Sequence, residues 1–320
     1  MARGATVQGA KEFMKQGLAV GGVLVALMIG LVGCSSPAPS LTAAELAQKY
    51  PEAKYVQIDG VALHYKQEGL GRPLIFLHGL PTSSHVWRNI TPALTYGNTI
   101  YSLDLMGFGQ SEKPQNVSYS IETYVTQLTK FLENFHLENP ILVGHDLGGV
   151  IATLYTIRNP GKVRKLVMMN APLYPESSPF HISLLRTKLV GEFFTGDWFL
   201  KRILQNSVGT PGVMNDTLIE SYVKPYIDDP GARTALLKCV REFDLRPTLE
   251  KEITPGLGKI QTPTLILWGA DDPYVPLAYS KKLKDDVPQA ELQVILRTAH
   301  LEMEERPEDV RAQLKEFIDK

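Results

Sequence analysis

Cysteine is nearly missing from this 320-residue chain, which has only Cys34 and Cys239. Two cysteines cannot build a disulfide framework, and neither has the His or Cys neighbours of a zinc site. The fold is therefore expected to hold by packing. With 44% hydrophobic residues, the chain has enough apolar side chains for a sizeable core. An excess of either charge is missing too: 33 Lys and Arg stand against 34 Asp and Glu, a formal charge of −1. No stretch clusters basic residues with interleaved aromatics, so a nucleic-acid surface is excluded. Beyond the first 33 residues there is no apolar run long enough to span a membrane.

That first stretch is read as an address. Gly17 to Gly33 is apolar and uncharged, and it follows Arg3, Lys11 and Lys15. A basic segment before an apolar one is a secretory signal. Its end, Leu31-Val32-Gly33-Cys34, resembles a bacterial lipobox. The resemblance implies a lipid thioether on Cys34, and with it an exported, membrane-anchored lipoprotein on the periplasmic or cell-surface side. The competing reading is a plain membrane anchor with an incidental cysteine. Met14-Lys15 gives a more compact start than Met1, and Ser35 to Ser40 reads as a flexible tether.

The rest of the chain divides by pattern into residues 34–50 (tether and short helix), 51–170 (first part of a core), 171–258 (an insertion) and 259–320 (second part of the core), after a signal at 1–33. Tyr55 to Ile58 and Val61 to Tyr65 flank Asp59-Gly60, a hairpin signal. Short apolar runs then recur with helical stretches between them: Pro73 to Leu77, Thr99 to Leu103, Pro140 to Val143, Val163 to Met169, Thr264 to Trp268 and Leu292 to Leu296. Such runs suit strands buried on both faces, which predicts an α/β fold with a mainly parallel eight-stranded sheet and helices on both sides. Helices are expected at Tyr119 to Phe135, Val150 to Asn159, Leu277 to Lys284 and Pro307 to Ile318. Between Ala171 and Thr262 the pattern turns helical and aromatic-rich, which reads as an inserted helical cap.

The strongest local signal is Ile141-Leu142-Val143-Gly144-His145-Asp146-Leu147-Gly148-Gly149, an apolar strand followed by a glycine-flanked Asp and a helix. A sharp strand-to-helix turn crowds the positions two before and two after its apex, so Gly144 and Gly148 are the residues such an elbow needs. The apex, Asp146, is then pushed out above the sheet edge. Leu77-His78-Gly79-Leu80-Pro81-Thr82 follows an earlier strand, Asp104 to Ser111 carries D-x-x-G-x-G-x-S, Trp268 to Pro273 ends a late strand, and Thr298-Ala299-His300-Leu301 follows the last. In these motifs the chain resembles the α/β-hydrolase superfamily, in particular its aspartate-nucleophile branch of haloalkane dehalogenases and epoxide hydrolases. The resemblance runs from about Tyr55 to the C-terminus.

It implies a catalytic set of Asp146 as nucleophile, Asp272 as acid and His300 as base, with the backbone N–H groups of Leu80 and Leu147 as the oxyanion hole and no cofactor or metal. Asp271 competes with Asp272, and the G-x-x-D spacing favours the latter. The other histidines, His64, His85, His136, His145 and His181, read as strand, loop, packing or surface residues. A carboxylate is ionised at neutral pH without a base, and its attack on a saturated carbon yields a stable alkyl ester, so the expected substrate is a small apolar electrophile that reacts with water as second substrate.

The family pattern is not complete. Dehalogenases of this branch carry Trp after the nucleophile and often Asn or Glu after the HG pair, where this chain has Leu147 and Leu80; Trp198, another cap residue or backbone N–H groups are the alternative halide donors. Epoxide hydrolases use two cap tyrosines, one expected in a Tyr-Arg pair where this chain has Val240-Arg241; Tyr174, Tyr222 and Tyr226 lie elsewhere. Haloalkane dehalogenase chemistry is the leading expectation, an epoxide hydrolase the second, and a ligand-binding homologue without turnover the third.

Overall fold

The computed structural model describes residues 40–177, 196–242 and 245–320. Residues 1–33, expected to be a signal, lie outside the described residues, as do Cys34 and His181.

Eight strands form one sheet: β1 (Lys54–Ile58), β2 (Val61–Gly69), β3 (Arg72–Leu77), β4 (Asn98–Leu103), β5 (Ile141–His145), β6 (Lys165–Met169), β7 (Thr264–Gly269) and β8 (Glu291–Ile295). Their spatial order is β1-β2-β4-β3-β5-β6-β7-β8. The β1–β2 and β2–β4 pairs are antiparallel, and all others are parallel. Asp59 and Gly60 both take positive φ, 53° and 78°, the backbone that a two-residue hairpin turn with the strands' own twist requires. Every residue of β4, β5 and β7 is buried, whichever way it points. That explains why these runs show no alternation.

The helices begin with α1 (Ala43–Lys49), capped by a reciprocal Thr42 and Glu45 pair. In α2 (Ile121–Asn134), Ser120 caps the N-terminus and Ile121, Tyr124, Val125, Leu128, Phe131 and Leu132 form the buried stripe. α3 (Leu147–Arg158) starts directly on the elbow, three residues before the expected Val150, and is buried from Leu147 to Thr156. A helix that is apolar all round offers no stripe for periodicity to find its start.

Between β6 and β7 the described residues contain α4 (Asp197–Asn206), α5 (Asp216–Asp228), α6 (Ala232–Glu242) and shorter helical turns, and no strand. This is the expected helical insertion. After it come α7 (Ala278–Asp286), a short turn at Glu302–Glu305 and α8 (Pro307–Asp319). Among the described residues, no helix is long and apolar enough to cross a membrane. The carboxyl ends of β5, β6 and β7 lie side by side, since Gly144 pairs with Met168 and Met169 with Leu267. Asp146, Asn170 and Asp272 follow those three ends.

Candidate active site

β5 ends at His145 and α3 begins at Leu147, so Asp146 alone makes the turn, at φ 48° and ψ −118°. A side chain rarely adopts this backbone, and such strain persists only where the surroundings over-determine it. The two glycines allow it. A Cβ on Gly144 would come within 2.3 Å of the Gly148 carbonyl oxygen, and one on Gly148 within 2.2 Å of the Leu77 carbonyl oxygen.

The turn aims the Asp146 carboxylate at the loop after β3. Its Oδ2 accepts the Leu80 amide at 2.8 Å. The Leu147 amide, next in the chain, acts on the same carboxyl and helps to lower it. Gly79 makes room for it, because a Cβ there would stand 2.4 Å from the Asp146 Cβ.

His300 follows β8 and is buried. Its Nδ1–H donates to Asp272 Oδ2 at 2.8 Å, which leaves Nε2 as the nitrogen that exchanges a proton. Asp272 is fixed from three further sides. Its Oδ1 accepts the amides of Tyr274 at 2.7 Å and Val275 at 3.0 Å, and its Oδ2 accepts the Asn170 side-chain amide. Asp271 is exposed, and its amide donates to the Thr298 carbonyl, so of the two candidates it is Asp272 that reaches the histidine. His145 Nε2–H donates to the His300 carbonyl at 2.8 Å, the local bonding expected of it.

The charges of these groups act on one another. Burial pushes the His300 imidazole down, but the Asp272 charge and hydrogen bond, with Asp146 adding to them, outweigh it and hold the group at about 9. Burial pushes the Asp272 carboxyl up, and His300 brings it below the ordinary range. At Asp146 burial prevails and raises the carboxyl, against the pull of His300 and the two amides. Burial and the neighbouring His300 drive His145 down to about 3, so that ring is neutral.

Two residues of this site were not singled out as functional in the sequence. Asn170, at φ 45°, donates to Asp272 and accepts the Gly269 amide at 3.1 Å, tying the ends of β6 and β7 together. Its place one residue past a strand adjoining β7 was the available signal. Glu302 is fully buried, neither side-chain oxygen has a hydrogen-bond partner, and burial raises its carboxyl well above the usual range. An acidic residue beside a motif histidine looks ordinary in one dimension, so no sequence signal marks it. Among the described residues, no group of three or more His, Cys, Asp or Glu could hold a metal ion.

The sequence profile of the alpha/beta hydrolase fold matches residues 72–200. The chain has the α/β-hydrolase fold. A cis-3-alkyl-4-alkyloxetan-2-one decarboxylase of Shewanella oneidensis is 28% identical over 278 residues, which cover 82% of this hydrolase and 87% of the relative. Epoxide hydrolase 4 of Homo sapiens is 27% identical over 290 residues, covering 82% and 78%. A solved haloalkane dehalogenase from Agrobacterium tumefaciens superposes with a TM-score of 0.75 at 26% identity, covering 84% of this chain and 97% of its own. The hydrolase is thus similar to haloalkane dehalogenases and epoxide hydrolases.

Proposed function

We propose that this hydrolase opens a small apolar electrophile through an alkyl ester on Asp146, with haloalkane dehalogenase chemistry as the leading form. The observation that carries the reading is the pairing of a free carboxylate oxygen with an already engaged one. Oδ2 accepts the Leu80 amide, so Oδ1 is the attacking atom. It forms a bond to a saturated carbon while the carbon–halogen bond breaks and the halide leaves with the electron pair. His300 then takes a proton from water, and the hydroxide adds to the Asp146 carbonyl carbon. The charge forms on Oδ2, against the two amides, where each donor is commonly worth about 3 kcal/mol. Collapse breaks the bond to the alkoxide, which takes the proton from His300 and leaves as alcohol; the new Asp146 carboxyl releases its proton to solvent. Asp272 holds the His300 tautomer and stabilises the imidazolium.

The alternatives differ in what protonates or stabilises the leaving group. For an epoxide, the tyrosines weighed from the sequence are committed elsewhere: Tyr174 donates to Asp286, Tyr222 to Glu304 and Tyr226 to the Pro81 carbonyl. That favours a halide over an epoxide. Trp198, the alternative halide donor, lies on α4 and is 52% exposed. The side chains of Leu80 and Leu147 offer no donor, so a ring-strained electrophile of the oxetan-2-one kind, whose leaving carboxylate needs none, is the second reading. A binding protein without turnover has no use for a strained aspartate held on the Leu80 amide.

The deciding experiment is trapping. His300→Ala, incubated with haloalkanes, epoxides and an oxetan-2-one, is expected to gain one alkyl mass on Asp146 with one class. Wild-type turnover that survives Asp146→Ala would sink the mechanism. The hydrolase is further proposed to be an exported lipoprotein, on the strength of Gly17 to Gly33 and Cys34. Palmitate labelling of the full chain, lost in Cys34→Ala, is expected; an unprocessed, unlabelled full-length chain refutes it.

A further inference from the structure

The turn that carries the Leu80 amide is held from two sides. On its inner side the Gly79 carbonyl accepts three donors: the Thr82 amide at 3.0 Å, the Thr82 hydroxyl at 2.9 Å and His78 Nδ1–H at 2.9 Å. His78 Nε2 accepts the Leu105 amide at 3.0 Å, which fixes that tautomer. The Gly79 carbonyl and the Leu80 N–H belong to one planar peptide group, so these bonds orient the amide from the core side. On the outer side, the Pro81 carbonyl accepts the hydroxyl of Tyr226 at 3.0 Å, in a buried contact. Tyr226 belongs to α5, in the insertion. One helical turn earlier Tyr222 donates to Glu304, on the turn that follows His300. The helix thus reaches the loops of both Leu80 and His300 through residues four apart, the spacing that puts two side chains on one face.

We propose that Tyr226 is a positioning residue that sets the Leu80 amide against Asp146 from the insertion, so that one of the two oxyanion donors is aligned by the cap and not by the core alone. Pro81 directly follows Leu80, and a buried carbonyl deprived of its donor must turn towards another partner or pay a desolvation penalty. Reorienting the Pro81 carbonyl swings the turn, and with it the Leu80 N–H. The Leu147 amide is exempt, because it is the first residue of α3 and moves with the elbow. The catalytic consequence rests on the proposed role of Leu80; the positional claim does not.

The test is amide hydrogen exchange on the full chain, read residue by residue by NMR. Tyr226→Phe is expected to speed exchange at Leu80 at least tenfold and to change Leu147 less than twofold, while Tyr222→Phe leaves Leu80 unchanged. Replacing Tyr226 by 3-fluorotyrosine, a stronger donor of nearly the same size, is expected to slow Leu80, an outcome that simple loss of packing cannot produce. Equal acceleration at Leu80 and Leu147, or no change at Leu80, overturns the proposal. None of these readings needs a substrate, so they stand or fall apart from the Asp146 mechanism. Where an alkylating substrate exists, Tyr226→Phe is expected to slow hydrolysis of the ester more than its formation.

Discussion

Asp146 Oδ2 accepts the Leu80 amide at 2.8 Å before any substrate has arrived. In the proposed reaction a donor for the developing negative charge is thus already aligned on the oxygen that would bear it, and little reorganisation is left for the reaction itself. The arrangement has a cost at the backbone, since Asp146 is held at positive φ. Rigid neighbours on either side, a buried strand and a buried helix, keep it there.

Gly79→Ala tests how tightly the carboxylate is held. The new Cβ would stand 2.4 Å from the Asp146 Cβ, closer than carbon atoms approach, while Gly79 itself has no positive φ to lose. Asp146 must move, and displacing the proposed nucleophile by about 1 Å commonly costs about 100-fold. Turnover is expected to fall by that factor or more with a thermal midpoint within a few degrees of wild type. Unaltered kinetics with an intact fold would show that the carboxylate is free to shift.

Glu302 offers a separate test through stability. Its carboxyl is buried without a partner and is held well above its ordinary value, so the folded protein resists its ionisation. In the window above the unfolded value of about 4.5 the unfolded chain binds fewer protons, and stability falls as pH rises. Glu302→Gln removes this linkage. It is expected to match wild type in urea unfolding near pH 4 and to exceed it by about 1 kcal/mol or more at pH 8. Parallel pH profiles of the two proteins would refute the assignment.

The sheet and the elbow were legible because each rests on local chemistry. Uninterrupted apolar runs announce strands covered on both faces, and glycines two before and two after Asp146 announce a turn with no room for side chains. His300 and Asp272 were legible only through their order after late strands. What the sequence could not display was contact across it. Asn170 reaches Asp272 from 102 positions away because β6 adjoins β7, and Tyr226 reaches Pro81 from 145 positions away because α5 packs over the loop. Hydroxyls and amides of this kind acquire a role only from what the fold sets beside them.

Arg88 and Glu304 form the bidentate pair on which Tyr222 closes, with Nη1 and Nη2 at 2.6 and 2.8 Å from the two carboxylate oxygens. The Glu304 side chain is 2% exposed and that of Arg88 28%. Removing the buried partner leaves a guanidinium with reduced access to water and a phenol without its acceptor, so Glu304→Ala is expected to cost roughly 3 kcal/mol in urea unfolding. Arg88→Ala strands the buried carboxylate and is expected to cost as much. A double variant that costs the sum of the two single losses would show that the pair is not coupled.

The strongest prediction about chemistry concerns His300 and its two carboxylates. In the resting protein it is held at about 9 by Asp272 first and Asp146 second, against burial, so near neutral pH it is an imidazolium and no base. In the proposed reaction, esterification removes the Asp146 charge. The histidine should then fall towards its ordinary 6.5 and become competent to take a proton from water when the ester is ready for attack. Asp146→Asn imitates that neutral state. NMR titration is expected to show His300 at least one unit lower in Asp146→Asn than in wild type, and lower again in Asp272→Asn. Stability follows the same sign: a raised histidine contributes stability that is complete below about pH 6.5 and is lost as pH rises through 9, so wild type should lose more between these limits than Asp146→Asn. A His300 titration indifferent to the charge at position 146 would mean that the ester is hydrolysed by a base already neutral in the resting enzyme.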